Sequence, residues 1–210
     1  KVMFKERPAN KRALSTRRPI HNVGINDVYY YTQYKDNLGT PYICPYYKVW
    51  KSMIGRCYDK KIQSKHPTYL NCSTSLEWIY LSKFKMWMKS QDWEGKVIDK
   101  DILIPGNKIY SSDTCMFVDN DINLLIAGPT SKDRYGKIGS NYRKERNKYL
   151  SNISIYGKKK FLGYFETEDQ ANKTYLKAKS FHIRDVAEKY RNNICLYNAL
   201  LNHAELTLKG

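Results

Sequence analysis

Apolar side chains recur along this chain in two rhythms, and each rhythm marks the element that can use it. Val28-Tyr29-Tyr30-Tyr31-Thr32 is a run of strand formers and Asn37-Leu38-Gly39 makes a turn, which predicts a hairpin within residues 26–43. Pro45 then opens a helix in which Tyr47, Trp50, Met53, Ile54 and Cys57 return at three-to-four spacing. Aromatic residues at that spacing read as core. Residues 59–75 read as loop. A second helical piece spans about residues 82–88 and turns Phe84, Trp87 and Met88 inward.

The clearest pattern lies towards the C-terminus. Strands are expected near residues 138–143, at residues 149–155 with Tyr149, Ser151, Ile153 and Ile155 alternating, and at residues 160–165, with Tyr156-Gly157 turning between the last two. Thr167-Glu168-Asp169-Gln170 has the form of a capping box. The helix it opens carries Ala171, Tyr175, Ala178, Val186 and Tyr190 as its inner face. The result is three antiparallel strands packed on one helix. A last helix, about residues 194–208, either pads this unit or pairs with a second copy.

Between these regions, residues 97–123 carry the candidate chemistry. Val97 and Ile98 deliver Asp99-Lys100-Asp101, a loop follows through Pro105-Gly106-Asn107, and residues 108–110 form a second strand-like piece. Ser111 or Ser112 then caps a helix whose far side presents Asn120 and Asn123. Strand, loop, strand and helix, with carboxylates on the first strand and amides on the helix, is the layout of a one-metal nuclease site. Carboxylate and amide oxygens are hard donors that suit Mg²⁺.

This segment resembles the HNH, or ββα-metal, nuclease motif in the form found in phage-borne, homing-endonuclease-like proteins. The likeness extends over most of the chain through Val23-Gly24-Ile25-Asn26-Asp27-Val28, Cys44-Pro45-Tyr46-Tyr47, Arg56-Cys57-Tyr58, and Glu77-Trp78 onward to Phe84 and Trp87. It implies that Asp99 and Asn123 hold a Mg²⁺ or Mn²⁺ ion and that Asp99, Lys100, Asp101 and Asn123 form the catalytic group. Two positions depart from the family. Lys100 stands where the base histidine belongs, and Thr114 stands where an asparagine orients it. A lysine ammonium is a poor base at neutral pH unless its pKa falls by several units. The base is therefore open among Lys100, Asp101, Tyr110 and a metal-bound hydroxide, and a site that has lost its chemistry is the other outcome.

Leu162-Gly163-Tyr164-Phe165 followed by the capped helix resembles the plant APETALA2/ethylene-response-factor DNA-binding domain, a module that mobile phage endonucleases also carry. In that family a sheet face enters the major groove. The resemblance implies a reading face of Tyr142, Arg143, Lys144, Arg146, Asn152, Ser154, Lys158, Lys159 and Lys160. Related modules often have arginine where this chain has Leu150 and Asn152, which implies altered or weak sequence readout. Lys158 to Lys160 suit phosphates better than bases, or form only a solvated hairpin edge.

Charge adds the partner. The 210 residues carry a formal net charge of +17, which points to a polyanion. It is concentrated at the ends: residues 1–18 are net +6 and residues 131–191 net +9, against +2 for residues 19–130. Arg17 and Arg18 belong to the basic arm, expected to lie along DNA. With 19 Tyr and 4 Trp there is material for a core. No apolar run of membrane-spanning length and no signal-peptide core is seen, and five cysteines without a dense framework suggest free thiols in a reducing cytoplasm. Cys57, His66, Cys72 and Cys115 are the donors a structural Zn²⁺ would use, but they lack a Cys-x-x-Cys pair, and buried thiols fit better.

The expected architecture is α+β: a basic arm (1–22), an HNH-like domain with accessory helices (23–126), a linker (127–135), an APETALA2-like domain (136–191) and a C-terminal helix (192–210). The leading functional expectation is a homing-type DNA endonuclease or nickase, acting on double-stranded DNA in a bacterial host cell as a monomer or homodimer. The alternative is a domesticated relative that keeps the DNA grip as a transcriptional regulator without the hydrolysis. A third reading makes residues 97–123 a structural unit of another basic protein, with RNA as a partner.

Overall fold

A computed structural model of the chain describes residues 4–127 and 137–209. Helix accounts for 45% and strand for 21%, the strands lying in small sheets, so the chain is mixed α+β. Two compact units divide it between Asp119 and Asn120. The linker expected at 127–135 lies, apart from Ala127, outside the described residues.

In the first unit the N-terminal arm is laid against the chain that follows it. Ala9 N–H donates to Tyr29 O and Tyr31 N–H to Arg7 O, each at 2.9 Å. The strand formers at 28–32 therefore pair with the arm, and the hairpin itself is shorter and later than its apolar pattern suggests. It joins β1 (Gln33–Lys35) to β2 (Pro41–Ile43), with the Tyr34 and Tyr42 rings stacked 5.2 Å apart. Its turn is set by Asp36, whose carboxylate accepts the Leu38 and Thr40 N–H groups at 2.9 Å. A five-residue helix, α1 (Lys11–Ser15), precedes it, capped by Asn10.

The core forms where the three-to-four spacing places it. Helix α2 (Pro45–Tyr58) buries Tyr47, Trp50, Met53, Ile54 and Cys57. Asp59 caps a further helix, α3 (Lys60–Lys65), by accepting the Lys61 and Ile62 N–H groups. That helix has no buried residue, so hydrophobic periodicity gives no sign of it in a stretch that reads as loop. A 3₁₀ turn at Pro67–Tyr69 and β3 (Ser73–Thr74) follow. Helix α4 (Leu81–Lys89) buries Leu81, Phe84 and Met88, and the Trp78 ring meets Phe84 edge-on at 5.0 Å. Trp50 Nε1 donates to Trp78 O at 2.8 Å, so the largest buried ring keeps its one polar atom satisfied.

Then come β4 (Val97–Asp99), β5 (Ile109–Tyr110) and β6 (Met116–Val118). The second unit holds α5 (Asn120–Ala127), a three-stranded antiparallel sheet of β7 (Ser140–Arg143), β8 (Lys148–Ile155) and β9 (Lys158–Phe165), and helices α6 (Glu168–Glu188) and α7 (Ile194–Lys209). The capping box on α6 is present with both of its hydrogen bonds. One face of the sheet packs on α6, and α7 packs along α6, so the last helix pads this unit. Gly139 makes the close approach possible: it sits at φ +78°, and a Cβ there would lie 2.1 Å from Tyr175 Cγ.

Candidate functional site

The segment built around Asp99 differs from its expected strand–loop–strand–helix form in two ways. First, β4 pairs antiparallel with β6, with Asp99 opposite Met116, whereas β5 pairs in parallel with β3. Second, no helix starts at Ser111 or Ser112. Ser111 to Cys115 instead form a turn in which Cys115 N–H donates to Ser111 O at 3.0 Å, and the helix begins at Asn120. Phe117 and Val118 are both buried on β6, whose successive side chains point to opposite faces, so both faces of that strand are covered.

The side chains of this segment are occupied with one another. Asp99 Oδ1 accepts the backbone N–H groups of Asp101 and Ile102, both at 2.7 Å, and so ties off the turn after β4. Burial pushes the Asp99 carboxyl above the usual carboxylate range, against those two N–H groups, which favour its ionised form. Lys100 is 5% exposed, and its ammonium donates to Asp101 Oδ1 and, at 2.7 Å, to Asn107 O. The Asn107 amide donates back to Lys100 O at 2.9 Å and to Ile109 O at 2.7 Å. Thr114 Oγ1 donates to Ile109 O at 2.6 Å. The Lys-Asp-Asn-Thr set thus latches the loop from β4 to β5. It is the arrangement of a structural cation, with protons engaged by a carboxylate and a carbonyl.

Behind this latch lie Arg56, Tyr110 and three thiols. Arg56 is hydrogen-bonded to the buried Tyr110 hydroxyl and stands 5.4 Å from the Tyr69 ring centre. Burial raises Tyr110 above the usual phenol range, and the Arg56 charge works against that. Such a phenol holds its proton at neutral pH. Cys57 and Cys115 are pushed up to about 12 by burial, and Cys72 is raised for the same reason. All five cysteines are free, and among the described residues no group of three or more His, Cys, Asp or Glu side chains is arranged to hold a metal ion.

For the implied Mg²⁺ or Mn²⁺, the donors of the first unit are a poor fit. One Asp99 oxygen is committed to backbone N–H groups, and the Asp101 carboxylate is neutralised by Lys100. Asn123, on α5, belongs to the second unit. Asp99 and Asn123 thus belong to different units.

The β7–β8–β9 sheet offers a different kind of site. Residues directly opposite one another share a face, so the register sorts the side chains. Ser151 and Ile153, 0% and 5% exposed, mark the face packed on α6. Tyr142 falls on that side, in the row Tyr142–Tyr149–Phe165, and its hydroxyl donates to Asn147 Oδ1 at 2.6 Å. Lys158 and Lys160 share rows with Ile155 and Ile153. The open face carries Arg143 beside Lys148, then Asn141–Leu150–Tyr164, then Asn152–Phe161, then Ser154–Lys159. Lys144 and Arg146 form the turn between β7 and β8, and the Arg146 guanidinium lies 4.7 Å over the Tyr164 ring.

The expected reading face is therefore split. Arg143, Asn152, Ser154 and Lys159 lie on the open face, with Lys144 and Arg146 at its end. Tyr142, Lys158 and Lys160 share rows with the other. Sequence reasoning missed Asn141, Phe161 and Tyr164, while Leu150 had been placed at a reader position. For Tyr164 the cause is a bulge: Ser151 pairs with Gly163 but Asn152 pairs with Phe161, which leaves Leu162 extra and reverses the alternation along β9 beyond it. Gly163 at φ +140° accommodates it, and a glycine inside a strand was the signal for it.

In the arm, the Arg17 guanidinium donates to Asn26 O at 2.9 Å, Tyr30 O at 2.7 Å and also Val28 O. It holds the 26–30 segment and is not free to grip a phosphate; Arg18 is exposed. Comparison with protein-family models, with curated proteins and with solved structures gives no match to this chain.

Proposed function

We propose that this protein binds double-stranded DNA in a sequence-directed way through the β7–β9 sheet, and that residues 97–118 serve its fold and not hydrolysis. The observation that carries this reading is the open sheet face. Exposed aromatics, Phe161 at 61% and Tyr164 at 38%, are bordered by Arg143, Arg146 and Lys159 in the most basic stretch of the chain. A basic, partly aromatic β-surface suits a duplex groove, with cations for phosphates and neutral side chains for base edges. The latch of Lys100, Asp101 and Asn107 supports the second half of the proposal, because the groups that would carry catalysis are engaged in closing a loop.

A second reading, a DNA endonuclease or nickase, is favoured by one observation. The order β4, β6, α5, with Asp99 ending the first strand and Asn123 in the helix, is the order of a ββα unit. The two readings part on a simple pair of measurements. Duplex binding by the full chain should persist in EDTA with less than a twofold change in Kd, and plasmid DNA should stay supercoiled with Mg²⁺ or Mn²⁺. Metal-dependent nicking by the wild type that is lost in Asp99→Ala would establish the endonuclease instead. A clear preference for structured RNA over duplex DNA would overturn both.

A further inference from the structure

The open sheet face has a chemistry of its own, and it deepens the DNA-binding reading on which it rests. Across its middle, the two rows that a groove floor would meet first hold Asn141, Leu150 and Tyr164, then Asn152 and Phe161. None of these is charged. The cations stand at the two ends: Arg143 and Lys148 beside the β7–β8 turn, and Lys159 at the β8–β9 hairpin. Lys148 is in addition paired with Glu166 at 2.7 Å, and the Arg146 guanidinium lies 4.7 Å from the Tyr164 ring centre.

Major-groove edges differ in what they ask of a side chain. Guanine presents two acceptors and is read by the fork of arginine or by lysine. Adenine presents an acceptor beside a donor, which an asparagine amide matches with two hydrogen bonds. Thymine presents a methyl group, which takes apolar contact. The residues of the middle rows are amides and apolar groups and include no guanidinium or ammonium of their own; Arg146 reaches this region only from the turn, over the Tyr164 ring. We infer that the sheet selects A·T base pairs in the major groove, with Asn152 on adenine and Leu150 and Phe161 against thymine methyls.

Placement supports the assignment. Asn152 and Phe161 are directly opposite on adjacent strands, so the amide and the ring can engage neighbouring positions of one A·T step. Phe161 and Tyr164 lean together with ring centres 5.4 Å apart and make one apolar ridge. Phosphate contacts from the terminal cations would fix the register of that ridge without choosing sequence.

The test is selection from a random duplex library by the full chain, followed by fluorescence anisotropy on the enriched duplex at one fixed salt concentration. Enriched sites should have an A·T core of two or more pairs. Replacing the thymines of that core with uracil removes only the methyl groups and should weaken binding about tenfold; with Phe161→Ala the same replacement should change Kd less than threefold. Asn152→Arg should shift selection towards guanine at one position. An enriched core of G·C pairs, or uracil duplexes bound as tightly as thymine duplexes by the wild type, would overturn the inference and leave DNA binding standing. Failure to bind any duplex at low salt would overturn the DNA-binding reading itself. Because Phe161 is mostly exposed, its replacement does not threaten the fold.

Discussion

Lys100 shows what a residue's surroundings do to its meaning. The resemblance to HNH nucleases puts it where a base would stand, yet it is buried at 5% exposure and commits its protons to Asp101 and the Asn107 carbonyl. Its removal should behave as the loss of a structural pair. Lys100→Ala is expected to lower stability by about 1–3 kcal/mol in urea unfolding, since it leaves a carbonyl and a carboxylate without their donor. Asp99 should respond differently. Its folded pKa is raised above the unfolded value, so over the window between them the native state binds more protons and stability falls as pH rises. At neutral pH the buried charge therefore costs stability. Asp99→Asn keeps an oxygen for the Asp101 and Ile102 N–H groups and removes that charge. It should leave unfolding free energy at pH 7 unchanged or higher, and a loss above about 1 kcal/mol would mean the charge itself holds the turn.

Elements were legible wherever their cause is local. The α6 capping box lies within four residues, and the hairpin of β8 and β9 turns on Tyr156 and Gly157, at φ +49° and +74°. Thr167→Ala should therefore cost about 1 kcal/mol and lower the midpoint of the second unit in thermal unfolding followed by far-UV circular dichroism. A midpoint unchanged by that substitution would mean the helix start is held by packing alone. The failures have non-local causes. Strand β5 chose β3 over β4 because Tyr110 and Thr74 are buried together, and β6 appeared where a helix was expected because Phe117 completes a core made by distant tryptophans.

Across the whole molecule, charge remains the strongest functional signal, and it predicts behaviour independent of any one base contact. Replacing Lys158, Lys159 and Lys160 together with Ala should weaken binding to all duplexes alike. The slope of log Kd against log salt should become shallower by roughly one for each phosphate that these ammonium groups neutralise. An unaltered slope would place this hairpin end away from the phosphates and leave Arg143 and Arg146 as the grip. The fixed Arg17 makes a contrasting case, since its charge counts in the total but its guanidinium is engaged by three carbonyls.

From the chain alone, the α+β character, helices α2, α4, α6 and α7, the C-terminal sheet and the net charge could all be read. Spacing, turn chemistry and charge act over a few residues or over the entire sum. Which side of the sheet the far end of β9 takes could not be read, because a single bulge at Leu162 reverses the alternation along that strand. Nor could the fate of Asp99, Lys100 and Asn107. Whether a carboxylate or an ammonium is free for chemistry depends on which groups the folded chain brings to it, and here the fold brings Asn107 back onto Lys100 and closes the loop on itself.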